Sequence, residues 1–146
     1  MNQTPALPTP DLYTGYGFAI ENRANVRTVK CLHCRQAIAR GLGRYYVTIS
    51  VRYHGYLCPA CQEETIRFDL LRPARTILLD QIHAFLREHE PLMYWHASSQ
   101  IRDMVYRANL ACVEVAQWFL DHLKALETVN YHTICELIRE YKQGAA

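Results

Sequence analysis

The sequence predicts an α+β fold, with short strands in its first half and helices in its second. Three observations carry this expectation. Two C-x-x-C pairs, Cys31/Cys34 and Cys58/Cys61, bracket 23 residues. Within that bracket runs YYVTISVRY, whose side chains alternate with the period of two that a strand requires. Beyond Pro73, apolar residues recur every three to four positions, the spacing of amphipathic helices. These features divide the 146 residues into a proline-rich tail over 1–12, a cysteine-bearing module over 13–72 and a helical bundle over 73–146. Half the residues are apolar and 21% are charged, so the chain has the means to bury a core.

The elements follow in order. MNQTPALPTP holds three prolines and no charge, and reads as an extended, flexible tail. DLYTGYGFAI is aromatic and glycine-punctuated, a turn with a short strand. Val26 to Lys30 forms a strand leading to the first cysteine pair. Gly41 and Gly43 mark a turn. In YYVTISVRY, Tyr45, Val47, Ile49, Val51 and Tyr53 share the apolar side, and Tyr46, Thr48, Ser50 and Arg52 share the other. His54-Gly55 would then turn the chain back toward Cys58. Pro59 suits a first helical position, and Glu63 and Glu64 suit the positive end of a helix. A helix is favoured there over a strand through TIRFDLL.

Three helices follow. The first, Ala74 to His89, has a stripe of Leu78, Leu79, Ile82, Phe85 and Leu86. The second runs from a cap at Ser98 or Ser99 to about Glu127. It carries one apolar stripe from Ile101 to Leu126 and another patch with Tyr106, Leu110, Val113 and Leu120. Two apolar sides predict a central helix, or a homodimer packed through 98–127. The third starts near Thr133, with Glu136 completing a capping box.

The cysteines carry the clearest chemistry. A C-x-x-C turn places two sulfurs on one side of an ion, and a hairpin of about twenty residues returns the second pair to the other. Four soft ligands suit tetrahedral zinc, and a site filled by Cys31, Cys34, Cys58 and Cys61 leaves no position for a reactive water. Such zinc is structural. A redox reading of CPAC leaves CLHC unexplained. His33 and His54 lie close enough in sequence to stand in for a cysteine, but four are already present. Six cysteines without a secretory signal suit a reducing, cytoplasmic compartment.

The run CLHCRQAI, a glycine, RYYVTI and then LCPAC at a helix start resembles a treble-clef or zinc-ribbon finger over about residues 26–72. The resemblance implies a small zinc-stapled β-hairpin finger of a kind used for nucleic-acid or protein binding. Nuclease fingers resembling HNH enzymes need a histidine pair or Asp-His before the hairpin. The single histidine between Cys34 and Cys58 is His54, which argues against a nuclease.

The net charge of +2 conceals an asymmetry. Residues 1–72 hold nine Lys/Arg against five Asp/Glu, and residues 73–146 hold seven against nine. From Arg23 to Gln62 there are seven basic residues and no acid. Arg35, Arg40, Arg44 and Arg52, with Tyr46 and Tyr56, would form a surface for nucleic acid, or alternatively for an acidic protein. Solvent-facing strand positions also favour arginine for solubility alone.

Other clusters are weaker. Asp80 and His83 share a helix face, and His132 and Cys135 lie one turn apart, yet neither completes a metal site. Cys112 lies in the apolar stripe as a small core residue. Met93, Tyr94 and Trp95 either plug the core or anchor a partner. No segment is apolar over the roughly 18 residues of a membrane helix. The chain therefore reads as a non-enzymatic regulator or adaptor. Its finger would contact nucleic acid or a nucleic-acid machine, and its helices a second copy or a protein. The alternative is an interaction or inhibitory module that works through its helical face. Size and layout fit a small phage-type regulator.

Overall fold

Strand-forming residues flank two glycines near the start of the described chain, and a hairpin results. The structure is a computed structural model and describes residues 10–145; the first nine residues of the expected tail lie outside these. The last residues of that tail are not loose, because strand β1, Asp11–Thr14, already includes Asp11 and Leu12. It pairs antiparallel with β2, Phe18–Glu21. Gly17 takes φ 83° in the turn, and a Cβ on Gly15 would stand 2.3 Å from the Phe18 ring. The turn thus needs both glycines.

The chain forms two compact units, Met1–Asp69 and Leu70–Ala146. In the first, β3, Val29–Lys30, pairs with β4, Ala37–Ile38. Strands β5, Arg44–Thr48, and β6, His54–Leu57, complete a four-stranded antiparallel sheet in the order β1-β2-β5-β6. Helix α1, Pro59–Leu70, follows Cys58 directly, so the helix prevails over the strand alternative. Tyr13 Oη donates to Asp69 at 2.5 Å and the Tyr16 N–H donates to the same carboxylate at 3.1 Å. These bonds tie the far end of α1 to the first hairpin. The hydrogen bond from Tyr13 to the carboxylate, with burial, raises the phenol's pKa.

One expected strand is instead a hairpin. YYVTISVRY leaves the sheet after Thr48, turns through residues 49–53 and returns as β6. A nine-residue strand would extend about 30 Å, and the four residues left before Cys58 could retrace only about 13 Å. Bringing the two cysteine pairs together therefore forces the chain to reverse midway. The Thr48 N–H donates to the Tyr53 carbonyl at 3.1 Å, and Val51 takes φ 58° at the tip. Ile49 and Val51, expected inside, are 81% and 62% exposed. His54-Gly55 lies in β6 and is not the turn.

The sheet's inner face is also the reverse of the expected one. Ile20 pairs with Tyr46, and both face the core of Ile20, Cys31, Ile38 and Leu57. Tyr46 stacks on Phe18 with ring centroids 5.3 Å apart. Tyr45 pairs with Tyr56 in the β5–β6 ladder. Buried Asn25 fastens the loops. Its Nδ2 donates to the carbonyls of Arg27, Ile38 and Ala39, and its Oδ1 accepts from the Gly43 N–H at 2.8 Å.

The second unit holds helices α2, Arg72–His89; α3, Tyr94–Arg107; α4, Cys112–Ala125; and α5, Tyr131–Glu140. Pro73 opens α2 from its first turn. The expected helix over 98–127 is two helices. Asn109 takes φ 56° at the break, where a 3₁₀ turn, Asn109–Ala111, intervenes. A left-handed residue cannot continue a right-handed helix. The apolar stripe survives the break: Ile101 and Val105 on α3, and Phe119 and Leu123 on α4, are fully buried. Helix α3 begins at Tyr94, ahead of the serines expected to cap it. The cap of α5 is Asn130, which exchanges hydrogen bonds with Thr133 at 2.9 and 3.0 Å. Among the described residues no helix is long and apolar enough to cross a membrane.

Candidate metal centre

The short β3–β4 ladder forces a tight turn at its end, and that turn is CLHC. The Cys31 N–H donates to the Gln36 carbonyl at 2.8 Å, and the Arg35 N–H donates to the Cys31 carbonyl at 3.0 Å. Arg35 takes φ 66° to close the turn, a conformation that costs a non-glycine residue on the order of 1 kcal/mol. The Leu32 N–H donates to the Tyr56 carbonyl at 2.9 Å, which docks the turn against β6. Strand β6 then delivers Cys58, and the first turn of α1 delivers Cys61. All four sulfurs fall within 4.8 Å of one another.

Those distances suit one ion. A tetrahedron with metal–sulfur bonds of about 2.3 Å has sulfurs about 3.8 Å apart; Cys34 and Cys58 Sγ stand 3.8 Å apart. A disulfide would need about 2.05 Å, and all four cysteines are free thiols. The surrounding backbone prepares the site for thiolate. The Cys58 N–H points to Cys31 Sγ at 3.4 Å, and the Cys61 N–H to Cys58 Sγ at 3.4 Å. Burial opposes ionisation of Cys31, yet the N–H groups of Cys34, Cys58 and His33 bring its pKa down to about 6. Cys61 moves the other way. Burial and its bonds to Cys58, Cys31 and Cys34 push it far up. At Cys34 the Gln36 N–H favours the thiolate, but desolvation and the contacts with Cys31 and Cys58 leave the pKa raised. Four sulfurs this close cannot all carry charge unaided, and a divalent cation among them would remove that conflict. The set can hold a metal ion. Neither histidine belongs to it: His33 meets the Tyr46 ring at 5.4 Å, and His54 Nδ1 shares a hydrogen bond with Tyr45 Oη at 2.8 Å.

The six residues expected to bind a partner differ in exposure and in what they contact. Arg35 and Arg40 are exposed, the former beside Cys34 and the latter just before Gly41. Arg52 is exposed in the β5–β6 turn, at the far end of that hairpin from Arg44. Arg44 serves the fold. Its Nε donates to Asn22 Oδ1 at 3.2 Å and its Nη1 to the carbonyls of Gly41 and Gly43 at 2.9 and 2.8 Å. Tyr46 and Tyr56 are both partly buried against the core. Tyr56 also meets Tyr45, with ring centroids 5.5 Å apart, and the Arg23 guanidinium stands 4.6 Å from the Tyr45 ring centroid. Reading the sequence did not isolate this group. Adjacent tyrosines at 45 and 46 make the two faces of β5 look alike, and only the partner strand distinguishes them.

No protein-family model, curated protein or solved structure matches the chain.

Proposed function

We propose that the first unit is a treble-clef zinc finger, and that it serves a non-enzymatic regulator or adaptor by contacting nucleic acid. The observation that carries the metal half is the convergence of four thiols within 4.8 Å. Their delivery, one pair from a tight turn and one from a helix start, favours a treble clef over a zinc ribbon, whose pairs both sit on turns. Four sulfur ligands complete a tetrahedron and leave zinc no vacancy for substrate, so the metal would act on folding alone.

Charge supports the nucleic-acid half. Seven basic residues and no acid occupy 23–62, and the exposed Arg35, Arg40 and Arg52 are available for phosphate. Tyr45 and Tyr56 offer rings to an unstacked base. Titrating binding of a random single-stranded oligonucleotide against salt tests the reading. The zinc-loaded protein should show a steep salt slope, shallower by about one unit for each phosphate-contacting arginine removed among Arg35→Ala, Arg40→Ala and Arg52→Ala. Absence of binding at low salt would refute it.

A second reading has its own support. Leu92 and Trp95 are 88% and 68% exposed in the helical unit, the kind of side chains that anchor a protein partner. On that reading the zinc only holds the finger together and the helical face does the work.

A further inference from the structure

The helical unit contains a cleft that the finger hypothesis does not use. Facing stripes on α2 and α3 would normally interlock large apolar side chains. Here α2 presents Leu79 and Ile82 together with Thr76, Asp80 and His83, and α3 presents Trp95, Ser98, Ser99, Arg102 and Tyr106. Each set follows the three-to-four spacing of one helix face. Threonine and two serines are too small to fill the seam, and a cleft of about 310 Å³ opens between the helices. That volume matches a small organic ligand.

Its lining is specific in kind. Trp95 stands at one end, 68% exposed, and Tyr106 at the other, 38% exposed; together they offer flat apolar walls. Two guanidinium groups converge on Tyr106. Arg75 lies 5.0 Å and Arg102 lies 5.5 Å from its ring centroid. Arg75 is buried, with Nη1 donating to Cys112 Sγ at 3.6 Å. Arg102 is exposed and takes part in no ion pair among the described residues. The exposed Arg102 guanidinium lines the cleft and offers charge-assisted donors to an anion there. The Ser99 hydroxyl can add a neutral donor. Deeper along α2, His83 Nδ1 and Ser98 Oγ hold each other at 2.9 Å, which fixes the imidazole as a wall. Asp80, also without an ion pair among the described residues, can accept from an N–H or O–H at the ligand's far edge.

We propose that this cleft binds a small organic anion built on a flat ring, the chemistry shared by nucleoside monophosphates and aromatic carboxylates. The ring lies along Trp95, the anionic group meets Arg102 and Ser99, and a donor on the ring's edge meets Asp80. All these residues belong to the helical unit, so the proposal stands or falls apart from the zinc finger.

Trp95 gives a direct readout. The chain has two tryptophans, and Trp118 lies elsewhere, stacked on His122 with centroids 3.9 Å apart. Trp118→Phe leaves Trp95 as the sole emitter. Adenosine monophosphate, 4-hydroxybenzoate, adenosine and inorganic phosphate would each be titrated into this protein while its fluorescence is followed. Saturable quenching by the nucleotide or the carboxylate, with at least about tenfold weaker binding in Arg102→Ala, is the expected result. The comparison of the two ring anions tells which source the cleft prefers. Ser99→Leu keeps the cation but fills the space, and should abolish the response while circular dichroism stays unchanged. The proposal is overturned if neither ring anion gives saturable quenching. It is equally overturned if inorganic phosphate or adenosine alone binds as well as the nucleotide, or if Arg102→Ala binds undiminished.

Discussion

Asn25 shows how much of the first unit depends on one uncharged side chain. It is 2% exposed and makes four hydrogen bonds across three loop segments. Alanine at this position would strand the Gly43 N–H and leave carbonyls without a donor. The expected cost is about 2–3 kcal/mol. Urea unfolding of the zinc-loaded Asn25→Ala protein should show that loss with metal content unchanged. An unaltered midpoint would mean that water replaces the amide without penalty. The cysteines were legible in the sequence because ligand type and spacing state the chemistry directly. Asn25 was not, because an asparagine between charged residues looks like any loop position until the three carbonyls around it are seen. The same holds for Tyr45 and Tyr46, whose roles depend on which neighbour pairs with β5.

At the level of elements, sequence signals held where a residue enforces backbone geometry. Pro59 marks the start of α1 as expected, and Pro73, expected to close the preceding element, sits in the first turn of α2. Glycines at 15 and 17 mark the first hairpin. Signals failed where a periodic pattern runs through a break. Alternation continues from Tyr45 to Tyr53 although the chain reverses after Thr48, and the apolar stripe continues from Ile101 to Leu123 although the helix stops at Arg107. In the helices the period reports burial, and burial survives the break; in YYVTISVRY it does not, since Ile49 and Val51 at the reversal are exposed. Asn109 makes the helical break testable. Asparagine tolerates a left-handed conformation better than most residues, and a β-branched one does not. Asn109→Val should destabilise the helical unit by about 1–2 kcal/mol, read as an earlier thermal transition. If α3 and α4 instead fused into one helix with no loss of stability, the break would not be set at this residue. The cleft between α2 and α3 escaped notice for a related reason. Thr76, Ser98 and Ser99 look like an ordinary solvent face, and only the packing of two helices turns their small size into a cavity.

For the whole molecule, the α+β class was evident because cysteine spacing and helical periodicity occupy separate halves of the chain. The two units rely on different physics. The helical unit buries Ile82, Leu86, Ile101, Phe119 and Leu123 almost completely and has a core of its own. Among its described residues the first unit buries just four apolar side chains as its centre, one of them the candidate metal ligand Cys31. Strands of two to five residues around so small a core need a cross-link, and a metal held by four thiolates would supply one. The most direct test is elemental analysis of the purified full-length chain, combined with a thermal melt before and after a strong chelator. The account predicts equimolar zinc, and loss of the first unit's ordered strands when it is withdrawn, with the helical signal largely kept. A chain that arrives without bound metal and melts identically with or without chelator would contradict it.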